Sequence, residues 1–220
     1  MLPDIIRCII IFLFGIVIGS FLNVCIIRIP NKEDIVKTSS HCRRCGYRLK
    51  WYDMIPLVSF LVLRGKCRSC SAKLSVQYPL IEAANGILYV LIVWTGGLGI
   101  ESLLYCLLAS ALLVLSVIDF RTYEIPFGIN LFILVLGLIR VGTDYGNFLT
   151  LLIGFLSVSA LLAVLYYATD CRAIGGGDVI RMKVSGAGHT LAMGPYLSMG
   201  VFVSALWGER MLLLYLAQFV

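Results

Sequence analysis

Apolar runs of roughly 17–25 residues recur along this chain, and nothing else in the sequence narrows the available folds as much. Each run, as a helix, is long enough to cross a hydrocarbon core about 30 Å thick. Sixty per cent of the 220 residues are hydrophobic and only 14% are charged. The mean hydropathy is +0.96. A soluble domain carries about a quarter charged residues, so water is not the main solvent here. The sequence predicts an all-α polytopic membrane protein whose size is set by the number of helices that pack together.

Seven transmembrane helices fit the pattern best, within a range of six to eight. They are expected near residues 5–27, 78–94, 103–118, 126–139, 149–167, 178–189 and 195–216. Gly188, Gly194, Pro195 and Gly208 interrupt the last two. The chain divides into a first transmembrane helix (1–27), a polar domain (28–77) and a membrane core (78–220). Eleven of the 18 lysines and arginines lie between Arg28 and Lys73. Basic residues concentrate in short cytoplasmic loops, so the polar domain is expected in the cytosol and the N-terminus outside. Arg7 and Arg140 are then the clear outside basic residues. A nucleic-acid patch is the rival explanation of such charge, but topology and anionic lipid headgroups already account for it, and no nucleic-acid partner is expected.

The first apolar run is too long for a secretory signal core, and no small-x-small cleavage site closes it. It is expected to remain as a span. Gly15, Gly19 and Ser20 provide small residues for close helix contact, and Asn23 is expected to bond between helices. No internal repeat is evident.

Cys42-Arg-Arg-Cys45 and Cys67-Arg-Ser-Cys70 form two C-x2-C pairs. Each pair turns two thiolates toward one centre, and together they complete a tetrahedral Zn(II) site of the zinc-ribbon kind. A disulfide pairing does not suit a reducing cytosol, and a redox dithiol needs no second pair. Four thiolates leave no position for water, which makes the expected zinc structural. Cys8, Cys25 and Cys106 lie in spans and read as small packing residues; Cys171 stands alone in a loop.

Ionisable residues at the edge of a span are costly and are candidates for function. Asp119 ends the third span, and Asp178 opens the sixth directly after Gly175-Gly176-Gly177. The loop charges place both at the cytosolic face. Each also has an ordinary explanation: Asp119 as a partner of Arg121, Asp178 as a helix-capping acid. Together they fit an aspartyl dyad that shares one proton and activates a water. Glu82, Glu124 and Glu209 are expected at the interface without a catalytic role.

These residues resemble one family, the bacterial prepilin peptidases (type IV leader peptidases, membrane aspartyl proteases with a G-x-G-D motif). Gly19-Ser-Phe-Leu-Asn-Val24 with Arg28 and Pro30 resembles their first span. Trp51-Tyr-Asp-Met-Ile-Pro-Leu57, Gly65-Lys-Cys67 and Tyr78-Pro-Leu-Ile-Glu82 resemble their cytosolic domain. Asp119 with Ile125-Pro126, and Gly175-Gly-Gly-Asp178, resemble the segments bearing the catalytic aspartates. Gly194-Pro-Tyr-Leu197 and Leu206-Trp-Gly208 resemble the closing span. The resemblance implies removal of a short basic leader from pilin-like precursors, after a glycine, on the cytosolic side of a bacterial inner or plasma membrane. It also implies N-methylation of the new terminus with S-adenosylmethionine, an activity associated with the cysteine domain; no nucleotide-binding fingerprint accompanies it. The chain departs from the pattern at Ile180, where lysine is usual, and at Phe127. It also places Asp178 about 15 residues before Gly194, so it reads as a shortened form. The competing readings are a zinc-bearing scaffold of a pilus or secretion assembly that has lost proteolysis, and a proton-relay transporter. A relay places its acids near mid-membrane rather than at one face.

Overall fold

The structure, a computed structural model, describes residues 2–143, 195–203, 207 and 217. Helix α1 is Leu2–Arg28, a 3-10 turn spans Trp51–Met54, and α2 is Val58–Val62. Helix α3 is Gln77–Gly96, α4 is Ile100–Thr122 and α5 is Phe127–Thr143. Residues 195–203 are also helical. No β-strand occurs among the described residues, only two isolated bridges, His41 with Arg48 and Lys66 with Lys73.

Three of these helices, Asp4–Arg28, Gln77–Gly96 and Ile100–Thr122, are long and apolar enough to cross a membrane. The fourth expected span is the 17-residue α5. The fifth and sixth lie outside the described residues, so the structure describes only part of the seven-helix expectation. Helix α4 continues three residues past Asp119, which puts that aspartate in the last turn instead of at the helix end.

Small residues set the spacing of α1 and α3. A Cβ added at Gly15 would stand 2.7 Å from the Gly86 Cα, and one at Gly19 would stand 2.8 Å from the Glu82 Cα. Backbones this close leave no room for side chains, and dispersion plus hydrogen bonding replaces the hydrophobic drive that lipid cannot supply. The hydrogen bonds are present. Asn85 Nδ2 donates to the Gly15 carbonyl at 2.8 Å, Ser110 Oγ donates to Asn85 Oδ1 at 2.9 Å, and Tyr89 shares a 3.0 Å bond with Ser110. This chain of contacts ties α1, α3 and α4 through fully covered atoms.

Two apolar clusters flank the network. Leu22, Ile26, Ile81, Leu115, Ile118 and Ile129 pack toward the end of the bundle that carries the polar domain. Tyr89, Ile92, Val93, Cys106 and Ala109 pack toward the other. Cys25 and Cys106 are buried packing residues, as expected, and Cys8 is half-buried. At the far end Gly97 takes a left-handed φ of 73°, its amide bonds the Val93 carbonyl, and Ser102 Oγ caps the Gly97 carbonyl at 2.6 Å. Arg140 at the end of α5 pairs with Glu101 at the start of α4, 2.9 Å apart. Asp119 therefore lies at the polar-domain end of the bundle.

Candidate functional site

The polar domain is built from two copies of one knuckle. The Cys42 amide bonds the Tyr47 carbonyl, the Gly46 amide bonds Cys42, and the Leu49 amide bonds Ser40. Twenty-five residues on, Cys67 bonds Ala72, Ser71 bonds Cys67, and Leu74 bonds Gly65 in the same pattern. Gly46 and Ser71 occupy equivalent turns with φ of 72° and 54°. The expectation of no internal repeat is corrected here, because the duplication resides in backbone bonding that only C-x2-C and a trailing leucine betray in sequence.

The knuckles bring Cys42, Cys45, Cys67 and Cys70 together as expected, with all four sulfurs within 4.8 Å of one another. The Cys42 and Cys70 sulfurs lie 3.9 Å apart. Four sulfurs each about 2.3 Å from a tetrahedral zinc stand about 3.8 Å from one another, so the donor set fits a metal ion with little adjustment. The Cys45 and Arg44 amides draw the Cys42 thiol down to about 6, toward the thiolate that binds metal. At Cys70 the Ala72 amide also pulls down. Burial and hydrogen bonding to the neighbouring sulfurs outweigh it, pushing the thiol up to about 11.

One carboxylate, which the sequence reading did not single out, joins the knuckles. Arg68 Nε donates to Asp53 Oδ1 at 2.7 Å, while the Lys50 amide and the Tyr47 hydroxyl donate to Oδ2 at 3.3 and 3.4 Å. Covering Asp53 opposes its charge, yet these donors prevail and hold it below its ordinary value. Arg68 also lies over the Tyr52 ring at 5.0 Å. The only advance sign was that Asp53 sits between two aromatics and a proline in the stretch matching the family.

Two further contacts tie this module to the membrane helices. Glu82, buried in α3, accepts the Leu57 amide at 2.8 Å. Leu57 holds a φ of 60° there. Buried Arg28, at the end of α1, donates to the carbonyls of Asp34, Ile35, Thr38 and Ser39 at 2.8–3.5 Å. The expectation for Glu82 at the interface is thus refined to a structural tie. Asn23 bonds between helices as anticipated, reaching the Tyr78 carbonyl at 3.1 Å.

Asp119 is buried in the last turn of α4. The helix ends because Tyr123 turns left-handed (φ 55°) and returns its amide to the Asp119 carbonyl at 2.8 Å. Pro126 then starts α5 by accepting the Ile129 amide. Between this corner and the end of α1 lies a cavity of about 180 Å³, lined by Pro30, Lys32, Ile118, Thr122, Glu124 and Ile125, among others. Arg121 is exposed. The other expected residues, Asp178 with Gly175, Gly176 and Gly177, lie outside the described residues, as do Glu209 and Cys171.

Fold and site together define a polytopic membrane protein with a four-cysteine module able to hold a metal ion at one end and a buried aspartate at that same end. Comparison with known proteins narrows the class. Residues 13–96 match the model of the bacterial peptidase A24 N-terminal domain, and residues 106–209 match the type IV leader peptidase family. The chain is 33% identical over 225 residues to a prepilin leader peptidase/N-methyltransferase of Neisseria gonorrhoeae, covering 88% of this chain and 77% of that one. It is 34% identical over 181 residues to the protein of that name from Myxococcus xanthus, covering 80% of this chain but 54% of the other. With the Pseudomonas putida protein of the same name it is 27% identical over 256 residues, covering 89% of each. That alignment exceeds the 220 residues of this chain, so the relative carries segments within the matched region that this chain lacks. No solved structure matches. The chain belongs to the type IV leader peptidase family.

Proposed function

We propose that this protein is a membrane aspartyl endopeptidase that removes the short basic leader of type IV pilin-like precursors, cutting after a glycine. The observation that carries the reading is Asp119, a buried carboxyl at the module end of a helix long and apolar enough to span a membrane. With Asp178 brought beside it, the two share a proton, because paired carboxylates in a poorly solvated site do not both ionise readily. The ionised member takes a proton from the attacking water as its oxygen bonds to the scissile carbonyl carbon. The protonated member hydrogen-bonds the carbonyl oxygen and then protonates the leaving amine as the C–N bond breaks. The titration belongs to the pair, so neither residue is assigned as base or acid. Gly175, Gly176 and Gly177 let a substrate strand approach without side-chain obstruction.

Eleven basic residues between Arg28 and Lys73 support a cytosolic module, in a bacterial inner or plasma membrane. Cys42, Cys45, Cys67 and Cys70 would hold Zn(II) as a closed structural site. The matched relatives' name pairs leader cleavage with N-methylation, and we extend that second activity to this chain, with S-adenosylmethionine supplying the methyl group. No residue is assigned to hold it.

The test is cleavage of the matched pilin-like precursor in proteoliposomes, read by the mass of the new N-terminus. A product starting after the glycine, then one methyl heavier when S-adenosylmethionine is added, is the expected result. Folded protein that leaves its own precursor intact would instead be a scaffold of the assembly.

A further inference from the structure

Helix α2 reads Val-Ser-Phe-Leu-Val and is apolar on both sides. Phe60 faces inward over the Gly65 turn, where an added Cβ would meet its ring at 3.0 Å. The opposite side is bare: Val58 is 50% exposed, Leu61 73% and Val62 70%. The 3-10 turn beside it adds Trp51, 75% exposed, and Met54. A helix apolar all round is normally covered all round, and a contiguous apolar patch marks contact with a partner or a membrane.

Depth and charge identify the covering as lipid. The Leu57 amide, at the head of α2, is bonded to Glu82 of α3. Glu82 lies five residues into a 20-residue span, about 7.5 Å along its axis at 1.5 Å per residue. A span of that length is about as long as the hydrocarbon core is thick, so α2 begins within about 10 Å of the headgroup–acyl boundary, the depth at which the apolar face of an interfacial helix lies. Leu80 on α3, at a similar depth, also faces outward. Lys50, Arg64, Lys66 and Arg68 flank the apolar face in sequence and are all exposed, the pattern that anionic headgroups attract.

We propose that Val58, Leu61 and Val62, with Trp51, dock the metal module onto the bilayer, the apolar face entering the acyl boundary and the flanking cations resting on anionic headgroups. This surface is separate from the proposed cleavage site and stands without it.

The test uses the full chain in phosphatidylcholine–phosphatidylglycerol vesicles with tryptophan as reporter. One form keeps Trp51 and replaces Trp94 and Trp207 with Phe; a second carries Leu61→Trp with all three native tryptophans as Phe. Lipids brominated near the headgroup should quench both reporters more than lipids brominated near the bilayer centre, and acrylamide in the water should quench them weakly. Omitting phosphatidylglycerol should reduce the shallow quenching, and Leu61→Asp with Val62→Asp should abolish it for Trp51. Strong acrylamide quenching without bromolipid quenching would put the face in water and overturn the proposal. Protection from both quenchers would mean a protein covering, from a second copy or another part of the chain, and would overturn it equally. Where Leu61→Trp fails to fold, Val62→Trp repeats the measurement.

Discussion

Lys32, Leu57, Arg64, Ser71 and Tyr123 all hold positive φ without being glycine, and all lie in the module or the corners beside it. Such backbone costs about 1–2 kcal/mol per residue and persists where surrounding bonds enforce it. The duplicated knuckle provides an internal comparison. Ser71→Gly should raise the melting temperature in detergent, by a gain of up to about 1 kcal/mol. Gly46→Ala, at the equivalent turn, should lower stability by about the same amount. Asp53 gives a pH signature. Its folded carboxyl titrates below the ordinary 3.8, so its contribution is fully present above that value and is lost as pH falls through the lower folded one. Asp53→Asn should therefore destabilise the module at pH 7, and the difference from wild type should shrink below about pH 4. Thermal melts across pH check both halves. The ties of Asp53 to Arg68 and of Leu57 to Glu82 were hidden in the sequence because the partners stand 15 and 25 residues apart along the chain.

Among the helices, contact is set by the smallest residues. Gly86→Leu should drive α1 from α3, since even a Cβ there would meet Phe12 and Ile16 at 2.7–2.8 Å. A destabilisation of about 1–3 kcal/mol is expected. Gly137→Leu on α5, where no described residue lies within 4 Å of an added Cβ, should be neutral or slightly stabilising in the same melts. Metal removal belongs to this scale too. Chelation should release one zinc per chain and collapse the near-UV signal of Trp51 and Tyr52, whose rings stack edge-on at 5.5 Å, while the far-UV helix signal of the spans persists. Helix positions were legible because an apolar run long enough for lipid has few alternatives, and α1, α3 and α4 appear where those runs occur. Their ends were less legible. Helix α4 passes Asp119 and stops only where Tyr123 turns left-handed, a choice imposed by the following Ile125-Pro126 corner and not by hydropathy.

For the molecule as a whole, the metal module and Asp119 lie at one end of the bundle, joined through Glu82 and Arg28 to the helices beneath. The four cysteines were legible because C-x2-C spacing names its own chemistry, and the structure brings their sulfurs together. The two candidate aspartates were legible only as separate residues near span ends. Asp119 is buried at the end of the bundle that carries the cysteine module, while Asp178 lies outside the described residues, so pairing is the central claim. The most direct test compares cleavage of a pilin-like precursor in proteoliposomes by wild type, Asp119→Asn and Asp178→Asn. Asn keeps the size of Asp and part of its hydrogen bonding but has no titratable proton to share. Loss of cleavage in both variants, each retaining zinc and the wild-type melt, is the expected result. Cleavage that survives either substitution contradicts the dyad.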